Sequence, residues 1–178
     1  MSVIERRTSE TNIRVEFVKG SGAASVNTGV HFLDHMMTAL ARYSGLDISI
    51  AATGDLKHHL IEDVAIASGT AFAQIVPATC ARYGDRTVPM DDALVHVSID
   101  AGGRPYYEGA LPSSLYDHWM RSFADYARIT LHVRVLRGTD RHHIVEAAFK
   151  ALGLAIRDAI VETNEVFSTK GIVSLDAK

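Results

Sequence analysis

Cysteine occurs once in the 178 residues, at Cys80, so the chain cannot close an intramolecular disulfide. With no partner His or Cys to make a thiolate ligand of it, Cys80 is expected to be a small buried apolar residue. Positive charge is not in excess either: 18 Lys and Arg stand against 21 Asp and Glu, and no basic run offers a groove to nucleic acid. No apolar stretch reaches the roughly 20 residues that span a bilayer, and Met1-Ser-Val-Ile-Glu-Arg-Arg carries charge where a signal peptide needs an apolar core. The chain also has no linker-like or low-complexity segment. With 47% hydrophobic residues it can bury a real core. It is expected to be globular and cytoplasmic, with neither membrane nor nucleic acid as partner.

Histidine is the residue type in good supply, and its placement is informative. Six of nine histidines fall on a repeat. Asp34-His35 is followed 23 residues after His35 by His58-His59-Leu60-Ile61-Glu62; Asp117-His118 is followed 24 residues after His118 by His142-His143-Ile144-Val145-Glu146. The segments after each Asp-His align at an offset of 83. Phe32, Leu33, Met36, Met37, Leu40 and Ala41 recur at helical spacing in the first copy, and Leu115, Trp119, Met120 and Phe123 do so in the second. Ile48, Ile50 and Ala52 then alternate on a strand, matched by Leu131, Val133 and Val135. Gly- and Asp-containing turns follow, and the His-His-x-x-Glu segments open helices near 58–75 and 142–160. Strand patterns at 13–18 and 94–100 precede the two copies. This order predicts an α+β fold of two pseudo-equivalent halves, 1–85 and 86–178, fused into one compact unit with helices covering one face of each sheet.

The residue types indicate metal. On a helix, His58 and Glu62 stand one turn apart on the same face, as do His142 and Glu146. Adjacent residues diverge by about 100° around a helix, so the members of each His-His pair are expected to serve different ions. Imidazole and carboxylate without thiolate fit Mn, Fe, Co or Zn in an open coordination sphere better than a closed structural zinc. A His-His dipeptide alone is ordinarily surface or cap; its duplication with matched Asp-His segments favours ligation. His31, His96 and His132 lie outside the repeat and read as structural or surface residues.

The motifs Phe32-Leu33-Asp34-His35-Met36, His58-His59-x-x-Glu62-Asp63, Pro89-Met90-Asp91-Asp92-Ala93-Leu94, Gly103-Arg104-Pro105, His142-His143-Ile144-x-Glu146-Ala147 and Ser168-Thr169-Lys170-Gly171 occur in this order. Together they resemble the imidazoleglycerol-phosphate dehydratase family over nearly the whole chain. The resemblance implies duplicated ferredoxin-like halves of the ribosomal-S5-domain-2-like kind. It implies dehydration of D-erythro-imidazole-glycerol 3-phosphate to imidazole-acetol 3-phosphate in histidine biosynthesis, with the substrate imidazolate bridging two Mn²⁺ per active site. Implied metal ligands are His35, His58, His59, Glu62, His118, His142, His143 and Glu146. Glu10 is the implied proton-transfer residue beside the substrate, Lys150 a further substrate contact, and Arg82, Arg104, Ser168 and Lys170 the phosphate donors. Family sites form between subunits of a homo-oligomer, trimers that build a shell of about 24 chains, so the eight ligands need not converge within one chain.

Three departures from the family pattern stand out. Ala39 replaces a usual glutamine, the loop before His58 is three residues short and carries Lys57 where acidic residues are usual, and the 106–117 segment is short. They bear on loop contacts and leave all eight ligand positions intact. A metal-storage or metal-assembled scaffold would explain the histidines but not Arg82, Arg104, Ser168 and Lys170. A binuclear hydrolase would call for more carboxylate ligands.

Overall fold

The computed structural model describes residues 1–165, and its chain order repeats. The first half runs β1 (Ser2–Arg7), β2 (Thr11–Lys19), β3 (Ala24–Asn27), α1 (His31–Ser44), β4 (Leu46–Gly54) and α2 (Lys57–Ile75). The second runs β5 (Tyr83–Met90), β6 (Ala93–Asp100), β7 (Tyr106–Glu108), α3 (Ser114–Ala127), β8 (Thr130–Arg137) and α4 (Arg141–Ala159). The sheets have matching orders, β1-β2-β4-β3 and β5-β6-β8-β7, antiparallel except where the third strand of each half runs parallel to the fourth.

Alternation makes the central strands. Ile13, Val15 and Phe17 on β2 and Leu46, Ile48, Ile50 and Ala52 on β4 turn inward, and Val95, Val97 and Ile99 on β6 do the same. The four strands without a sequence pattern, β1, β3, β5 and β7, are all sheet edges. Their inward positions, Ser2 and Ile4 on β1, Val26 on β3, Gly84 and Val88 on β5 and Tyr107 on β7, are few or mixed in polarity, so no apolar alternation shows; pairing with a central strand makes them strands. One irregularity explains the unequal spacing of the repeat. Asn12 faces Thr53 in the first sheet and Leu94 faces Arg137 in the second, but Val95 faces Val135, leaving Leu136 as an extra residue on β8. That insertion accounts for the 24 residues between His118 and His142 against 23 in the first half.

Helix ends are set locally. Gly45 closes α1 in the left-handed region at φ 74°, its N–H donating to the Ala41 carbonyl. Asp140 caps α4 by accepting from the His142 and His143 N–H groups, which places both histidines in the exposed first turn. Each half lays its helices on one face of its own sheet, and the helices of the two halves then pack together, α1 on α4 and α2 on α3. Trp119, Phe72, Phe123 and Phe149 are fully buried, and the apolar core is continuous through both halves. Close approach at these crossings rests on glycine. A Cβ on Gly69 would lie 2.6 Å from the Phe123 carbonyl oxygen, and one on Gly153 would lie 2.8 Å from Tyr43 Cβ and 3.0 Å from Ser44 N. Among the described residues no helix is long and apolar enough to cross a membrane.

Candidate functional site

The helix crossings bring the repeated histidines together, and they do so across the halves. His35 on α1 meets His142 and Glu146 on α4; His118 on α3 meets His58 and Glu62 on α2. In each trio the possible ligand atoms lie within 4.8 Å of one another. The sequence repeat pairs His35 with the His58 segment, whereas the fold pairs it with the His142 segment of the other half. Only packing of α1 on α4 and α2 on α3 decides that exchange.

In the first cluster Glu146 Oε2 lies 3.2 Å from His35 Nε2 and 3.0 Å from His142 Nε2, while its other oxygen accepts from Lys150 Nζ at 2.9 Å. Glu146 is buried, which alone would push its carboxyl up. Hydrogen bonds from Lys150, His35 and His142 outweigh that and hold it below the usual glutamate value. Lys150 also rests over the Tyr43 ring at 5.7 Å. The second cluster is looser. Glu62 lies 3.6 Å from His58 Nε2 and 3.2 Å from His118 Nε2, and the two imidazoles stack at 5.5 Å between centroids. His118 Nε2 is buried with no hydrogen-bond partner, because Glu62 approaches it out of line despite the short distance. A buried ring nitrogen with an imidazole stacked beside it and a carboxylate 3.2 Å away, bonded to neither, suits a divalent cation. Both donor sets, two imidazoles and one carboxylate, leave coordination positions open and fit Mn²⁺ among other divalent ions.

The second histidine of each pair turns away. His59 is set at 80° to His58 and His143 at 78° to His142, with ring centroids 6.2 and 6.0 Å apart. His59 Nδ1 lies 3.0 Å from Asp55 and 3.4 Å from Glu10. His143 Nδ1 lies 2.7 Å from Asp92, with Nε2 3.4 Å from Asp91. The Asp55 and Asp92 hydrogen bonds raise the two imidazoles above their ordinary value. Asp92 in turn is held well below the usual carboxylate range, first by the Thr139 N–H and then by His143. Neither Asp55 nor Asp92 stands out in the sequence as a functional residue. Asp55 reads as part of a Gly-Asp turn, and Asp92 lies in a family motif without an assigned role.

Other predicted residues are placed as follows. Glu10 sits at the β1–β2 turn, exposed, beside His59. Arg82 and Arg104 converge on Asp100, Arg82 through two bonds at 2.6 and 2.9 Å and the exposed Arg104 at 3.8 Å. Ser168 and Lys170 lie outside the described residues. The aspartates that precede His35 and His118 are loop anchors: Asp34 accepts from the Thr28 N–H and hydroxyl, Asp117 from Tyr107 OH and the Leu111 N–H. His96 bonds Thr87 and His132 lies exposed against Tyr106, both away from the clusters. Cys80 is buried.

The duplicated α+β fold that carries these two histidine–carboxylate trios places the chain among the hydro-lyases, because two solved structures that share the fold, at 42% and 32% identity, are dehydratases. An imidazoleglycerol-phosphate dehydratase from Staphylococcus aureus superposes with a TM-score of 0.81 at 32% identity, covering 92% of this chain and all of that one. A Pyrococcus furiosus structure described as IGPD in complex with (S)-C348 superposes at 0.87 with 42% identity, over 96% of this chain and 100% of its own. In sequence, the imidazoleglycerol-phosphate dehydratase of Kineococcus radiotolerans is 45% identical over 94% of this chain and 96% of its own length. The sequence profile of the imidazoleglycerol-phosphate dehydratase family matches residues 28–156. The chain belongs to that family, whose members are enzymes of histidine biosynthesis.

Proposed function

We propose that this enzyme dehydrates D-erythro-imidazole-glycerol 3-phosphate to imidazole-acetol 3-phosphate, using two Mn²⁺ per active site, and that its active sites lie between subunits of a homo-oligomer, a shell of trimers with about 24 chains. The observation that carries the proposal is the pair of three-ligand clusters, each with one more histidine of the same motif turned away from it. His59 and His143 cannot complete the clusters of their own chain in this geometry, so a partner copy is the natural source of the fourth protein ligand. Mn²⁺ would be held by His35, His142 and Glu146 at one cluster and by His58, Glu62 and His118 at the other, and would supply Lewis acidity toward the substrate ring.

The chain's own groups divide the remaining work. Removing a C–H proton next to the imidazole needs a carboxylate or imidazole within reach. Glu10 is the exposed carboxylate that travels with His59, so wherever His59 is inserted Glu10 arrives beside it. Lys150 neutralises Glu146 and presents a cation at the edge of the first cluster. Arg82 and Arg104, drawn together by Asp100, form a guanidinium pair suited to a phosphate, with Ser168 and Lys170 as further donors. Enzymes of this pathway act on diffusible metabolites, which agrees with a cytoplasmic location.

Metal-stripped protein incubated with the substrate should stay inactive until Mn²⁺ is added, then release ketone product measurable by absorbance. His142→Ala or Glu62→Ala should abolish that turnover. Assembled protein that binds Mn²⁺ at two per chain yet releases no product would overturn the assignment and favour a metal-assembled scaffold.

A further inference from the structure

The two outward histidines are held by carboxylates that are not equivalent in the repeat. Ile13 faces Ala52 and Val95 faces Val135 across their sheets. Ala52 and Val135 match in the repeat, so Ile13 and Val95 match too, and three residues before each stand Glu10 and Asp92. Past the extra residue on β8, Asp55 corresponds to Thr139, each lying four residues before the second histidine. Half two uses the turn carboxylate: Asp92 Oδ1 takes His143 Nδ1, while its Oδ2 accepts from the Thr139 N–H, the Thr139 hydroxyl and the Asp140 N–H at 2.7, 3.0 and 3.1 Å. Half one uses the loop carboxylate: Asp55 Oδ1 takes His59 Nδ1 at 3.0 Å and is steadied by the Leu56 N–H at 2.6 Å. Glu10, at the position Asp92 fills in the other half, stands 3.4 Å from His59 and within 4.8 Å of the Asp55 carboxylate, with neither as a hydrogen-bond partner of its side chain.

We propose that Asp55 and Asp92 are positioning residues that fix the tautomer and aim of His59 and His143, and that Asp55, by taking this task over in the first half, releases Glu10 to face the substrate. An ionised carboxylate only accepts, so in the neutral ring each Nδ1 carries the proton and each Nε2 keeps its lone pair for a metal, which at His143 would take the place of the 3.4 Å approach of Asp91. Asp92 is saturated by four donors and cannot also exchange a proton with a ligand. Glu10 has no such ties. The division of labour therefore sits in the short loop before His58, where Asp55 lies close enough to reach His59 within the same turn of chain.

This inference rests on the reading that His59 and His143 bind metal. The test titrates Mn²⁺ alone into the metal-free, assembled, full-length protein and follows unbound Mn²⁺ by its electron paramagnetic resonance signal. Asp55→Ala and Asp92→Ala should each weaken one of the two Mn²⁺ per chain about 10- to 100-fold, the usual loss for a carboxylate behind a histidine ligand. Asp55→Asn keeps an acceptor for Nδ1–H and should bind like the parent. Glu10→Gln should leave Mn²⁺ affinity unchanged while lowering kcat. His59→Ala separates the two readings. If it binds both Mn²⁺ as tightly as the parent, the ligand assignment falls and this inference with it. If it weakens binding while Asp55→Ala does not, or if Glu10→Gln weakens it as much as Asp55→Ala, only the positioning roles are wrong. Asp55 is exposed, so Asp55→Ala should fold even where Asp92→Ala, which loosens the entry to α4, does not.

Discussion

Glu146 is the most buried of the eight ligand candidates, its side chain 8% exposed, and it binds Lys150, itself only 19% exposed. An isosteric Glu146→Gln change removes the charge but not the volume and strands an ammonium that has little access to water. Metal-free protein carrying it should lose about 2 kcal/mol of stability, as for other charged hydrogen bonds, measurable by urea unfolding. The sign of its pH dependence follows from the depressed carboxyl. Its contribution is fully present above the ordinary glutamate value of 4.5 and is lost as pH falls through the lower folded value. The gap between parent and Glu146→Gln should therefore close on acidification; a gap that widens at low pH would contradict the assigned pairing. The His-His-x-x-Glu spacing made this residue legible in the sequence as a ligand candidate. The Lys150 partnership was not, since Lys150 entered only as a substrate contact implied by the family resemblance.

At the scale of elements, the crossings of α1 on α4 and α2 on α3 decide where ligands meet, and Gly69 and Gly153 set how close those helices come. The two glycines are themselves a repeat pair, each 11 residues after the first histidine of its His-His motif. Alanine gains up to about 1 kcal/mol of helix propensity over glycine. Here its Cβ would strike backbone atoms at 2.6 to 3.0 Å, which cannot rotate aside, so overpacking of about 1–3 kcal/mol should win. Gly153→Ala is expected to lower the melting temperature and weaken Mn²⁺ binding at His35, His142 and Glu146, and Gly69→Ala to do so at His58, Glu62 and His118. A melting temperature at or above that of the parent would show that the helices separate without strain. Central strands and helices were readable from periodicity because each buries one face. The edge strands were not, since their inward positions are too few or too mixed in polarity to show a pattern.

For the whole molecule, divergence of the paired histidines predicts that no chain completes its own metal sites. His142→Ala lacks a cluster ligand and His143→Ala lacks the outward one, and the two positions are adjacent on α4. If sites are shared between copies, dissociating and reassembling a mixture of these variants, each expected to be inactive alone, should restore up to about a quarter of parental activity, the share of sites that draw both residues from intact chains. Sites confined to one chain would give no recovery, because every chain then carries a defect. Size-exclusion chromatography of the same mixtures reports whether the variants still assemble.

The sequence alone determined the local matters: the repeat, the helices and central strands, and the placing of each His and Glu one turn apart. All of these depend on residues close along the chain, where spacing translates directly into geometry. Which histidine joins which glutamate was decided only by tertiary packing, because His35 and Glu146 lie in different halves and meet through a helix crossing that no local pattern encodes. The same holds for Asp55 and Asp92. Their repeat positions are unlike, and only the strand register and the turn that carries each carboxylate show that they reach the same nitrogen on equivalent histidines.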